Sequence, residues 1–147
     1  MNIILTGASG IGKTTLLHKI FGLDSLVTPK RCLKQQLHPR LGDWSYFGYC
    51  RLDRCIPEIY RLYPNANKII ADSSHAIAKT VNTLPGEWTV LVLDVPQEEH
   101  RKRFFSRRSS RSGLDKEKSF RIALKEQQSY LKKYSAITEY DLKELVS

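Results

Sequence analysis

An apolar strand that runs into a glycine loop and straight on into a helix constrains this chain more than any other feature. Ile3, Ile4 and Leu5 precede TGASGIGKTT, which begins at Thr6. Gly7, Gly12, Lys13 and Thr14 stand there at the spacing G-x-x-x-x-G-K-T. The following KTTLLHKIF has apolar residues at helical intervals, and Gly22 supplies a stop. That order aims loop and helix N–H groups at an anion, the setting in which this spacing cradles nucleotide phosphates. On this reading Gly7, Ala8, Ser9, Gly10, Ile11, Gly12, Lys13, Thr14 and Thr15 hold ATP or GTP, with no base-reading motif to choose between them, and ATP is the expected cofactor. Lys13 neutralises the β and γ phosphates, and the Thr14 hydroxyl ligates Mg²⁺.

The rest of the chain alternates between strands and helices. KIIAD over residues 68–72 and EWTVLVLDV over 87–95 read as buried strands, with a further strand suggested near 24–28. RCIPEIYRLY, 54–63, reads as a short helix, because Pro57 is tolerated in a first turn. Helices are expected from 96 to about 108 and over 114–134. The stretch GDWSYFGYCRLD has no helical period, and the tail 139–147 reads as acidic and weakly structured. The expected fold is a single α/β domain over 1–147, a parallel sheet with helices on both faces.

Charge and cysteine content narrow the partners. The 147 residues carry a net charge of +9, unevenly spread. Residues 97–134 hold 12 basic and 5 acidic side chains, and residues 29–61 hold 7 basic and 3 acidic. Two separate basic segments suggest a polyanion such as DNA. Cys32, Cys50 and Cys55 form no zinc pattern with the histidines and read as reduced thiols. No apolar stretch reaches the ~18 residues that cross a bilayer, and no signal peptide is recognisable. A cytoplasmic protein without a membrane partner is expected.

A phosphate loop serves kinases, GTPases and motor ATPases alike. A guanine-reading N/T-K-x-D is missing, since Asn67-Lys68-Ile69-Ile70 lacks the final acid. Paired acids at a strand end are missing too, since Ser73 follows Asp72. The stretch LDVPQEEHRKRFFSRRSSRSG resembles the lid of small P-loop kinases: a strand, a proline and an arginine-studded helix. Arginines closing over a phosphoryl group in transfer stabilise its spread charge and exclude water. The lid is expected at about 101–114, with Arg103, Arg107, Arg108 and Arg111 as catalytic arginines.

Together MNIILTGASGIGKTT, KIIADSSH and VLDVPQEEHRKRFFSRR resemble the polynucleotide kinases of phages in order and spacing. The resemblance implies a three-layer P-loop kinase fold, ATP with Mg²⁺, and transfer to a hydroxyl of nucleic acid. A phage-encoded enzyme would work in the host cytoplasm. The central SYFGYCRLDRCIPEI is similar instead to phage hydroxymethyluracil DNA kinases, with Gly48, Tyr49 and Asp53 matching their pattern.

A hydroxyl acceptor needs a carboxylate to orient it and take its proton. Asp53, between Arg51 and Arg54, is the first candidate and Asp43 the second. Asp72, at a strand end beside the loop, is expected to order the Mg²⁺ shell or touch the acceptor. Trp44, Tyr46, Phe47 and Tyr49 lie among Arg31, Arg40, Arg51 and Arg54, a composition that stacks a base and grips its backbone, although the same aromatics also suit a core. Three functions remain open. They are a nucleic-acid kinase, a kinase of free nucleosides or nucleotides, and a non-catalytic nucleotide-gated DNA-binding protein.

Overall fold

The computed structural model describes residues 1–23, 40–48, 61, 68–72, 86–106 and 113–147. Their strands form one six-stranded sheet. In chain order they are β1 (Asn2–Thr6), β2 (Arg40–Leu41), β3 (Trp44–Gly48), β4 (Ile69–Asp72), β5 (Trp88–Leu93) and β6 (Ser135–Ile137). Their spatial order is β2-β3-β4-β1-β5-β6. Five strands run parallel, and β2 alone is antiparallel, paired to β3. From β1 the chain builds β3 and β4 on one side, then crosses to β5 and β6 on the other. The strand order therefore reverses beside β1, where open parallel sheets place their ligands at the carboxyl ends.

The helices are α1 (Lys13–Ile20), α2 (Gln97–Ser106), α3 (Gly113–Lys133) and α4 (Glu139–Val146). Side chains alternate across the sheet, so each face needs cover. Ile3, Leu5, Tyr46, Ile70 and Leu93 pack with Leu16 and Leu17 of α1 and Leu142 and Val146 of α4. Ile4, Ala71 and Val92 are also fully buried, and α3 buries Phe120, Ala123 and Gln127. No described helix is long and apolar enough to cross a membrane.

Helix α1 stops where the sequence indicates. Gly22 has φ 68°, and two bonds close a left-handed cap: Leu23 N–H to His18 O at 2.8 Å, and Gly22 N–H to Lys19 O at 3.4 Å. Three expectations need correction or addition. The stretch after residue 40 forms a hairpin whose turn places Gly42 at φ 57°. Its strand β3 is buried on both faces at Trp44, Ser45 and Tyr46, which erases any alternation. The tail is ordered: after β6 extends the sheet, Thr138 caps α4, its hydroxyl accepting from Asp141 N–H at 3.1 Å. The strand expected near 24–28 lies outside the described residues, as does the helix expected over 54–63 except for helical Arg61.

An isolated eight-residue helix is marginal in water, so α4 depends on the two side chains it buries. Leu142→Ala is accordingly expected to cost about 2–5 kcal/mol. Chemical denaturation would read that loss as a lower midpoint at unchanged slope.

Candidate active site

Parallel pairing brings the ends of β1 and β4 side by side, with Leu5 opposite Asp72. The loop after β1 and the acid ending β4 thus share one edge of the sheet. Gly12 caps α1 with φ 96°, and no side chain caps the helix. Its first turn contains no acid, which leaves the helix N-terminus electropositive. Gly10 cannot carry a larger side chain. A Cβ on Gly10, itself at φ 79°, would come within 3.0 Å of the Phe104 backbone.

Three side chains converge beneath the loop. The Thr14 hydroxyl donates to Asp72 Oδ2 at 2.5 Å. Lys13 Nζ lies 3.5 Å from Asp72 Oδ1, and the Tyr46 hydroxyl donates to Oδ2 at 3.5 Å. The Asp72 carboxylate is 5% exposed, so an ionised acid here depends on those partners. A hydroxyl and a carboxylate are the hard oxygen donors that suit Mg²⁺. Among the described residues no cluster of three or more histidine, cysteine or acidic side chains could bind a metal by itself. A cation here would therefore need water and phosphate oxygens as well.

Above these groups opens a cavity of about 810 Å³. Loop residues 8–16 form its floor, and Lys19, Arg103, Ser106, Glu126, Glu139 and Lys143 line the remainder. Lys13 and Arg103 both face it, as do all the expected nucleotide-binding residues except Gly7. Gly7 sits beneath the loop, where a Cβ would meet Ile11 Cγ2 at 2.7 Å. Arg103 is already engaged. It donates to Ile11 O at 2.8 Å and pairs with Glu99 at 3.1 Å and Glu139 at 2.5 Å.

The expected acceptor residues fare differently. Asp43 sits in the β2–β3 turn, at the amino end of the parallel strands. Five residues of strand separate it from the level of Asp72, roughly 15 Å at the usual rise. Trp44 is 5% exposed and belongs to the core, with Lys68 Nζ 5.8 Å from its ring centroid. Tyr46 is fully buried and stacks on Phe21. Asp43 and Trp44 therefore lie away from the Lys13–Asp72–Thr14 constellation. Tyr49, Arg51, Asp53, Arg54, Arg107, Arg108 and Arg111 lie outside the described residues.

Several residues at the site went unread in the sequence. Gln127 accepts from Ala8 N–H at 2.9 Å and donates to Leu93 O at 2.8 Å, joining α3 to the loop and to β5. A polar residue in the apolar stripe Phe120, Ala123, Gln127 was its only signal. Glu139 and Lys143 were hidden in the tail read as unstructured.

His18 lies below the site, edge-on to Tyr46. Burial pushes its pKa below 6.5, and the Asp72 charge opposes the shift. Below 6.5 the unfolded chain therefore binds a proton that the folded chain resists, so stability falls on acidification. Thermal midpoints at about pH 7.5 and about pH 5.5 would measure this, and His18→Leu is expected to flatten that part of the decline.

No protein-family model and no curated protein matches the chain. Solved structures do. A shikimate kinase from Acinetobacter baumannii in complex with shikimate aligns over 99% of this chain and 89% of its own, at TM-score 0.50 and 18% identity. The shikimate kinase of Bacteroides thetaiotaomicron aligns over 99% and 94%, at TM-score 0.53 and 14% identity. The chain has a P-loop kinase fold. A gluconokinase from Sinorhizobium meliloti 1021 also aligns, over 99% and 86%, at TM-score 0.45 and 14% identity. The three-layer fold expected from the sequence is the one observed, with one antiparallel strand added at its edge.

Proposed function

We propose that this chain is an ATP-dependent kinase that transfers the γ-phosphoryl group to a hydroxyl of a small molecule. The observation that carries this reading is the Lys13–Asp72–Thr14 constellation beneath a glycine loop. The acceptor hydroxyl attacks the γ phosphorus, the bond to the bridging β–γ oxygen breaks, and ADP leaves. Loop N–H groups bind the phosphates, and Lys13 shifts from Asp72 to the charge developing on the γ group. Thr14 and Asp72 would hold Mg²⁺, which supplies charge neutralisation between the phosphates. The acceptor proton needs a carboxylate, and Asp53 remains the candidate for it.

Support for a small acceptor comes from the likeness to the shikimate kinases, one of them solved with shikimate. A free nucleoside or nucleotide belongs to the same class of acceptor. A second reading, a hydroxyl of DNA at an end or on hydroxymethyluracil, draws on the basic segment 29–61. The third, a non-catalytic DNA-binding protein, predicts nucleotide binding without transfer.

Salt separates the first two. Occupancy of a DNA site would fall steeply between about 50 and 200 mM salt, because phosphate contacts release counterions. Turnover with a small acceptor is expected to change less than about threefold over that range. Label from γ-labelled ATP incorporated into DNA, with none on a panel of sugars, hydroxy acids and nucleosides, would overturn the small-acceptor reading.

A further inference from the structure

We propose that His100 is a positioning residue for the phosphate loop, bracing it through the Ser9 carbonyl. The proposal rests on the nucleotide-binding reading above. Helix α2 presents His100, Arg103 and Phe104 at the i, i+3, i+4 spacing that puts them on one face. All three meet the loop. His100 Nε2 lies 2.9 Å from Ser9 O, Arg103 Nη1 donates to Ile11 O, and Phe104 packs on Gly10. A carbonyl can only accept, so His100 carries its proton on Nε2.

These contacts fix the direction of two peptide planes. In a trans peptide the carbonyl of one residue and the N–H of the next point opposite ways. Holding Ser9 O against α2 turns Gly10 N–H away from α2. Holding Ile11 O does the same for Gly12 N–H. Ile11 N–H, between them, donates to Ala8 O at 3.2 Å, so Gly10 and Gly12 N–H are the two that the braced carbonyls orient. A freed Ser9–Gly10 peptide could rotate and present its oxygen to phosphate, exchanging attraction for repulsion. His100 prevents that rotation, and it is well suited to do so. It is 1% exposed, and its ring is packed edge-on against Phe120 of α3. The brace thus ties α2, which leads toward the arginine-rich segment, to the loop itself.

Two substitutions separate the bond from the packing. His100→Phe keeps a ring against Phe120 and loses the donor. His100→Gln loses the ring and keeps an N–H near the Nε2 position. Calorimetric titration with Mg-ATP is expected to give about tenfold weaker binding for His100→Phe and recovery to within about threefold for His100→Gln. Amide exchange in the nucleotide-free protein should speed up across residues 9–12 in the Phe variant while β1 and β5 stay protected. The Gln variant should resemble wild type in the loop. Unchanged loop exchange and affinity in His100→Phe would overturn the proposal. So would a loss that tracks the thermal midpoint and is not relieved by Gln. Wild-type protein that binds no nucleotide while its loop exchange still responds to His100→Phe would overturn the nucleotide reading alone and leave the brace standing.

Discussion

Lys13→Ala is expected to lower the rate of phosphoryl transfer by about 10²–10³-fold, equivalent to ~3–4 kcal/mol of transition-state stabilisation. The size follows from position. Lys13 lines the cavity at the start of α1 and is 3.5 Å from the Asp72 carboxylate. In a dry, preorganised site a cation beside developing charge is worth far more than in water. The loss should fall on kcat more than on KM, because the interaction strengthens as charge moves toward the leaving oxygen. The variant also leaves the buried Asp72 carboxylate without its counter-ion, so some loss of stability is expected beside the loss of rate. Steady-state kinetics beside a thermal melt would read both. Turnover near wild type would exclude the kinase and favour a protein that only binds nucleotide.

Asp72→Asn is the second large effect, about 10²-fold in kcat/KM for Mg-ATP. Asparagine fills the same volume and can still accept from the Thr14 hydroxyl. It removes the charge that pairs with Lys13 and that would hold the cation. The dependence of rate on Mg²⁺ should therefore shift to higher concentrations. A Mg²⁺ titration of the variant tests this. An unchanged half-saturating concentration would mean that Asp72 orders Thr14 and Lys13 and does not serve the metal.

The site was legible where chemistry compresses its requirements into consecutive residues. The loop needs glycines at fixed offsets and a lysine beside a hydroxyl, so Gly7 to Thr15 could be read directly. Asp72 was legible because a strand ending in an acid can face such a loop. Other features were not, for physical reasons. Strand β3 is buried on both faces, so Trp44, Ser45 and Tyr46 show no alternation to count. Helix α4 buries Leu142 and Val146 and exposes its charges, so its eight residues look like a solvated tail. Asp43 and Trp44 stood close in sequence to other candidates. Nothing in their composition tells which edge of the sheet a residue occupies, and strand direction decides that. His100 and Gln127 act through backbone groups more than 90 residues away in one case and 119 in the other. A contact of that kind leaves no spacing rule behind.

One measurement bears most directly on the central claim. Wild-type protein and Lys13→Ala would be incubated with γ-labelled ATP, Mg²⁺ and, separately, sugars, hydroxy acids, nucleosides, nucleotides and DNA, and the products resolved. The predicted result is label on a small hydroxyl compound with wild type and ~1% or less of that rate with Lys13→Ala. Bound ATP with no label on any acceptor, identical in both proteins, would contradict the account.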